Sequence, residues 1–417
     1  MKLRTIAGID IGNSQIKVAI AKINDETLRP EIIGVGSSQS NGLRRGMVVD
    51  MEECVDNVRE AIAQAQDMAG VNIKRAYLAV NGLHISNQVS RGVIAVSRAD
   101  NEISQNDIDR VLQAASVVSL PANREIVHVI PRTYIVDGRE YVKNPLGMKG
   151  VRLEAEVFII DGLSPYLKNI AKCVNENGIE VNELVFAPLA ASLSVLDKNQ
   201  KEYGVLSLDF GGGTSTLTVF EEADLLHAVV LPIGSKHITN DLAIALRTSI
   251  DVAEKIKVHH GATSENEDLR KKDTVDLSEY MAEDGAMMPK KNLIKVVDAR
   301  VQELLEMVSA EMKKVPRNGM LPAGVVLSGG GSNLPGFASL VKAALRLPVK
   351  IARPISMDGV DLMGADPSYS VATGLIAWGF DKEFGNSRQK GGRFSGASRN
   401  SAGAVSRVTD WLKNFLP

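Results

Sequence analysis

The stretch Val205-Leu206-Ser207-Leu208-Asp209-Phe210-Gly211-Gly212-Gly213-Thr214 decides how the rest of the chain is read. An apolar run delivers a carboxylate into three glycines and a hydroxyl, the pattern of a strand ending in a phosphate cradle. Glycines without a Cβ let backbone N–H groups approach an anion, the Thr hydroxyl adds a donor, and the Asp can hold a hydrated Mg²⁺ against phosphates. In isolation the same residues also suit a glycine-rich hairpin turn. A second copy tips the balance. Near the N-terminus, Gly8-Ile9-Asp10-Ile11-Gly12-Asn13-Ser14 leads into Gln15-Ile16-Lys17-Val18-Ala19-Ile20, just as residues 208–214 lead into Ser215-Thr216-Leu217-Thr218-Val219-Phe220. Both read as strand, Asp-x-Gly turn, strand, with apolar and polar residues nearly alternating in the second strand. Two such hairpins in one chain predict two similar domains facing one ligand.

Composition bounds what that ligand and its protein are. With 417 residues, 44% of them hydrophobic and 24% charged, the chain is long enough for two or more domains with sizeable cores. A formal net charge of −2 argues against nucleic acid as a main partner. The charge is unevenly placed: residues 386–417 carry six basic side chains against Asp410, a net of +5, which leaves −7 for the rest. Cys54 and Cys173 are too few for a disulfide framework or a metal cluster, and both lie in helix-like segments, as core residues of a reduced, cytosolic protein would. The apolar run after Lys2-Leu3-Arg4 is broken by Asp10 and Gly12, and no stretch approaches a membrane span, so a protein neither secreted nor membrane-spanning is expected.

In chain order, a strand over 31–37, a helix over 51–70 with apolar residues at helical spacing, and a strand over 75–82 complete an α/β unit. From 84 to 161 the rhythm changes to a β-α-β-β pattern, with Ser104-Gln105-Asn106-Asp107 capping its helix; this reads as a separate insert, long enough to suggest a partner-binding role. A helix over 165–178 and a strand over 179–186 lead into the small-residue helix Ala187-Pro188-Leu189-Ala190-Ala191-Ser192-Leu193. Beyond the second hairpin follow a strand over 226–233, helices over 239–246 and 249–259, a charged surface segment over 265–292, and a long helix over 293–315. Then Gly324-Val325-Val326-Leu327-Ser328 enters Gly329-Gly330-Gly331-Ser332-Asn333 before a helix, a third glycine-rich turn suited to a nucleoside or phosphate.

Three turns in the order D-x-G, D-x-G-G-G-T and L-S-G-G-G-S resemble the two phosphate motifs and the adenosine motif of the actin, Hsp70 and sugar kinase superfamily. Within it, the chain resembles the FtsA family of bacterial cell-division proteins. That likeness rests on Asn144-Pro145-Leu146-Gly147-Met148-Lys149-Gly150-Val151-Arg152-Leu153, Val185-Phe186-Ala187-Pro188-Leu189-Ala190-Ala191-Ser192 and Ala253-Glu254-Lys255-Ile256-Lys257-Val258. It implies an α/β, actin-like fold of duplicated ribonuclease H-like domains. Subdomain IA would take residues 1–83, 163–199 and 368–381, the FtsA-type insert 84–162, subdomain IIA 200–236 and 306–367, and subdomain IIB 237–305. It further implies ATP with Mg²⁺ in the cleft. Asp10, Gly12, Asn13, Ser14, Lys17, Asp209, Gly211, Gly212, Gly213 and Thr214 would face the phosphates. Glu254 and Lys257 would lie near ribose and adenine, Gly329, Gly330, Gly331 and Asn333 near the nucleoside, and Asp10 and Asp209 would hold the ion through water. Where enzymatic relatives carry a Gln or Glu that positions the attacking water, this chain has Ala187, so no catalytic residue is assigned and slow or absent hydrolysis is expected.

The end of the chain suggests another purpose. Residues 382–404 are rich in Gly, Ser, Asn and Arg and read as a flexible linker, followed by a segment over 405–417. There Val408, Trp411, Leu412, Phe415 and Leu416 fall at i, i+3, i+4, i+7 and i+8, one face of a helix fit for an anionic membrane surface. By family analogy the partners would be the C-terminal tail of the tubulin-like protein FtsZ, other copies of this chain in an actin-like filament, and later divisome proteins on the insert. Arg300, in Asp298-Ala299-Arg300-Val301-Gln302-Glu303, is the candidate for the FtsZ tail, though a solvated helix charge reads equally well. The site would then be the cytoplasmic face of the membrane at the division plane. A small-substrate kinase and a pilus-assembly ATPase-like adaptor are the alternatives of the same fold.

Overall fold

The computed structural model describes residues 4–24, 27, 29–264, 274–280, 287–315, 320–354, 357–363 and 366–384. The expected linker beyond 384 and the amphipathic segment with Val408, Trp411, Leu412, Phe415 and Leu416 lie outside the described residues.

The first lobe opens with β1 (Thr5–Ile11), β2 (Gln15–Ile23) and β3 (Pro30–Gln39), a meander of antiparallel strands. After a small ladder of β4 (Leu43–Arg44) and β5 (Met47–Val48) comes α1 (Met51–Ala69). Asp50 caps its start by accepting from the Glu53 N–H at 3.0 Å, and Gly70 ends it in the left-handed conformation that a residue without Cβ adopts freely. Strand β6 (Arg75–Val80) then pairs parallel to β1.

The insert follows: β7 (Ile85–Ala95), α2 (Gln105–Ser116), β8 (Arg124–Val136), β9 (Glu140–Val142) and β10 (Arg152–Leu163), with the sheet order β7-β10-β8-β9. The pattern is therefore β-α-β-β-β, one short edge strand more than the sequence suggests. Ser104 and Asp107 form the expected capping box. At the base of the insert, Arg124 binds the Asp161 carboxylate and the His84 carbonyl, tying together the two segments by which the insert leaves and rejoins the lobe.

The chain returns through α3 (Ser164–Asn175) and β11 (Glu180–Phe186), then passes by α4 (Ala187–Val195) and α5 (Lys198–Tyr203) into the second lobe. There β12 (Val205–Phe210), β13 (Ser215–Glu221) and β14 (Asp224–Leu231) form another meander. Next come α6 (Ser235–Leu246), α7 (Ile250–His260), the short pair β15 (Thr274–Asp276) and β16 (Met287–Pro289), and α8 (Lys290–Met312). Strand β17 (Val325–Ser328), α9 (Phe337–Leu345) and β18 (Val349–Ile351) close the lobe. Its sheet order, β14-β13-β12-β17-β18, repeats β3-β2-β1-β6-β11 of the first lobe strand for strand. The duplication expected from the two hairpins thus extends to both five-stranded sheets.

A last helix, α10 (Ser370–Phe384), packs on α4 and β1. It runs a few residues into the stretch read as linker, because Phe384 has partners: its ring lies 5.5 Å from that of Phe380 and under the Arg4 guanidinium. Small residues let α10 and α4 touch. A Cβ on Gly374 would fall 1.8 Å from the Ala190 carbonyl oxygen. Gly374→Ala should therefore force the helices apart at a cost of about 1–3 kcal/mol or more, read as a fall in Tm of several degrees; an unchanged Tm would show that the helix pair does not set the junction.

Candidate functional site

The two hairpin turns are built alike. In the first, the Gly12 N–H donates to the Gln15 carbonyl at 3.1 Å, and in the second the Gly211 N–H donates to the Thr214 carbonyl at the same distance. A Cβ on either glycine would meet that carbonyl oxygen, at 2.7 and 2.8 Å respectively. The turns also meet each other. A Cβ on Gly213 would sit 2.6 Å from the Asn13 side chain, and one on Gly212 would overlap the Ser14 hydroxyl. Glycine at these positions is thus a condition for the two lobes to close. Across the seam, Lys236 donates to the Asn13 carbonyl at 2.7 Å, and the Asn13 side chain accepts from the Gly46 N–H at 2.9 Å.

Asp10 and Asp209 end the equivalent strands β1 and β12, one in each lobe. Each keeps some surface open to the cleft, yet both lobes enclose them. Burial, and then the Asp209 charge, push the Asp10 carboxyl up to about 7 against the pull of Lys17. Burial also raises Asp209, although it accepts from Ser328 at 2.9 Å. Two carboxylates that resist ionising side by side favour a cation between them. Among the described residues no group of three or more His, Cys, Asp or Glu side chains is placed to hold a metal ion, so an ion here would keep most of its water.

Lys17 lies opposite Asp10 across the β1–β2 ladder. Its ammonium bonds the Ser368 hydroxyl, lies 3.8 Å from Asp366, and sits 4.4 Å from the centre of the Tyr369 ring. Burial lowers its proton affinity, which these carboxylates partly restore. Gly329 adopts φ 81° and donates to the Pro367 carbonyl at 3.1 Å. A Cβ on Gly331 would overlap the Phe210 ring, so the third glycine turn packs directly on the second. Asn333 donates to Asp366 at 3.3 Å.

Helix α6 begins at Ser235, a full turn before the sequence suggests, because the Ser235 and Lys236 N–H groups find the Gly211 and Gly212 carbonyls at 2.8 Å each. On the neighbouring α7, Glu254 accepts from Thr239 at 2.5 Å and pairs with Lys257 at 2.7 Å. Lys257 also donates to Thr239 at 2.9 Å and to the Ser235 carbonyl at 3.4 Å. This cluster stands beside the start of α6, next to the second glycine turn. Arg300 is elsewhere, on α8, held by Asp241 at 2.7 and 2.9 Å and by Glu303 at 2.5 Å. Ala187 is buried at the start of α4.

The structure therefore brings the three glycine turns together, and adds residues that the sequence does not single out. Lys236 follows the Gly234-Ser235 turn directly and could have been found from that position. Ser368 and Tyr369 lie in a short 3₁₀ segment that Asp366 caps, with no motif around it.

Comparison with known proteins follows the same lines. A family model described as "SHS2 domain inserted in FTSA" matches residues 82–161, and one described as "Cell division protein FtsA" matches 206–374. Cell division protein FtsA of Pseudomonas aeruginosa is 34% identical, over 99% of this chain and 98% of its own length. FtsA of Bacillus subtilis is 38% identical over 88% and 82%, and that of Escherichia coli K12 is 32% identical over 98% of both. Among solved structures, a PilM-PilN type IV pilus biogenesis complex superposes with a TM-score of 0.65 at 16% identity, over 90% of this chain and 98% of that one. MreB5 of Spiroplasma citri bound to ADP gives 0.54 at 14% identity, over 93% and 99%. At those identities the likeness is one of fold.

The raised carboxyls set a pH dependence. Below pH 3.8 folded and unfolded chains both carry the Asp10 proton; as pH climbs toward about 7 the unfolded chain releases it while the fold retains it. The stability this proton confers is therefore lost as pH rises through that window, and Asp209 shifts in the same direction. Asp10→Asn removes the titration, so its Tm advantage over the wild-type chain should grow between about pH 5 and about pH 8 by several degrees. An advantage that is the same at both ends would refute the assignment.

Proposed function

The chain belongs to the FtsA family of cell-division proteins, and from that premise we propose that it binds MgATP between its two lobes, assembles into actin-like filaments and ties FtsZ to the membrane. The observation that carries the nucleotide is the closed seam itself. The two hairpin turns meet across it, Lys236 bonds from one lobe to Asn13 of the other, and Lys17 acts on two carboxylates suited to a hydrated divalent ion. The nucleotide in the MreB5 structure supports the same reading for a protein of this fold. Asn13, Ser14, Lys17, Gly212, Gly213, Thr214 and Lys236 would hold the phosphates. The Glu254–Lys257 cluster would lie against the ribose, and the turn at Gly329, Gly330, Gly331 and Asn333 against the nucleoside. Asp10 and Asp209 would hold the ion through water, and its positive charge would offset the carboxylates and the phosphates.

Nothing at Ala187 can orient or deprotonate a water molecule. A step that such a group accelerates by about 10²- to 10⁴-fold is unassisted from this position. Nucleotide then acts by holding the lobes in one relative orientation. The purified protein should bind ATP and turn it over slowly. Robust turnover that is abolished by Asp10→Asn or Asp209→Asn would overturn this.

The membrane contact falls to the terminal segment over 405–417. Partial burial of Val408, Trp411, Leu412, Phe415 and Leu416, net of helix ordering, amounts to on the order of 5 kcal/mol, weak for one chain and strong for many on a filament. The FtsZ tail would dock on the α6–α8 surface, where Arg300 already has two carboxylate partners, so a third acid would join an existing network. Later division proteins would use the insert. Co-sedimentation with anionic liposomes tests the membrane claim: removal of residues 405–417 should leave the protein in the supernatant, and undiminished pelleting would refute it.

A further inference from the structure

Lys17, only 4% exposed, is the most enclosed cation of the phosphate-binding turns, and its ammonium is satisfied from within the chain. The groups that satisfy it come from the segment just before α10. Asp366 accepts from the Ser368 N–H at 2.9 Å and from the Ser368 hydroxyl at 2.6 Å, and that hydroxyl in turn faces the Lys17 ammonium. The other end of the same carboxylate accepts from Asn333 at 3.3 Å. Asp366 thus touches, directly or through Ser368, a donor of the first phosphate turn in one lobe and a donor of the third glycine turn in the other. Burial opposes its ionisation, but the Ser368 hydrogen bonds and the Lys17 charge outweigh that and hold the carboxyl below its ordinary range, so it stands as an anion at neutral pH.

We propose that Asp366 is an internal anion that competes with the nucleotide's phosphates for the charge of Lys17, and that it thereby sets nucleotide affinity. The inference rests on the MgATP reading of the cleft. An ammonium has three N–H donors and one charge. It can serve Ser368 and a phosphate oxygen together, but its charge cannot neutralise both a carboxylate and a phosphate within about 4 Å, where like charges repel strongly in a partly desolvated site. Phosphate binding therefore loosens the hold of Asp366 on Lys17. The segment that would be released leads directly into α10, and its Pro367 carbonyl also accepts from Gly329.

Asp366→Asn tests this with little change of shape. The amide oxygen still accepts from the Ser368 backbone N–H and from Asn333, its NH2 faces the Ser368 hydroxyl, which can turn to accept, and the charge is removed. Calorimetric titration of the full chain with ATP, ADP and adenosine at constant magnesium and salt should show ATP and ADP binding about tenfold tighter than to the wild-type chain, with adenosine unchanged. Asp366→Glu, which keeps the charge, should bind ATP as the wild-type chain does. If Asp366→Asn does not fold, Asp366→Ser removes the same charge with a smaller side chain and should also tighten ATP while sparing adenosine. Unchanged or weaker ATP binding, or a parallel change for adenosine, would overturn the proposal and leave the nucleotide site standing. Failure of the wild-type chain to bind ATP would remove the site and the proposal together.

Discussion

Asp10 and Asp209 end equivalent strands in different lobes and repel one another across a cleft that both lobes enclose. Much of the surrounding structure follows from keeping them there. Each must follow an apolar strand that fixes its position, and the turn after Asp209 must be free of side chains so that its backbone can approach Asn13 and Ser14 of the opposite lobe. The contacts of Gly212 with Ser14 and of Gly213 with Asn13 leave no room for a methyl group, so the lobes close to backbone distance at this seam. Lys17 then brings positive charge to both carboxyls. Without that ammonium group, or a metal ion in its stead, two ionised carboxylates so enclosed would cost the fold dearly.

How much of this was legible depends on how local the signal is. The duplication could be read because strand, Asp-x-Gly turn and strand lie within about fifteen residues, and the alternation in β2 and β13 marks one buried face of each. The order of both sheets follows from that repeat once the third glycine turn is matched to β17. Helix α10 was missed for the opposite reason. It is buried nearly all round, with Val371, Ala372, Leu375, Ile376 and Trp378 all in the core, so it shows no 3.6-residue alternation, and Gly374 and Gly379 lower its apparent helicity. The segment before it carries no motif at all. Asp366 and Ser368 acquire their meaning only from Lys17, some 350 residues earlier, and no reading of local pattern can supply such a contact. The start of α6 was placed late because its first N–H groups are satisfied by carbonyls of the second hairpin and not by a side-chain cap.

The insert is more closely tied to the body than its sequence rhythm suggests. It leaves and rejoins the first lobe, and His128 accepts from the Phe186 N–H at 2.9 Å at the strand that leads into α4. Burial and the Lys382 charge lower the proton affinity of that imidazole, keeping it neutral and able to accept. Yet the insert also reaches the second lobe, where Lys143 pairs with Asp224 and Asn87 donates to the Ala228 carbonyl at 2.5 Å, both on or beside β14. A subdomain anchored to one lobe and bonded to the other cannot keep both sets of contacts if the lobes rotate.

The lobes are thus joined at two separate sets of contacts, the seam and the insert. On the cleft side, Lys236 to Asn13 and Lys17 to Ser368 cross between segments that a bound anion would draw together or release. At the other set, the insert bridges the lobes through Lys143 and Asn87. A ligand shifts an equilibrium between lobe orientations only by its differential affinity for them, and the coupling is reciprocal. A partner that favoured one lobe orientation would therefore change the affinity of the cleft for any ligand that also distinguishes the orientations, and by the same factor in both directions. Because α4 and α10 meet at Gly374 and Ala190 with no side chain to cushion them, rotation there is bounded by backbone contact, and the two sides of the molecule can share one small set of orientations.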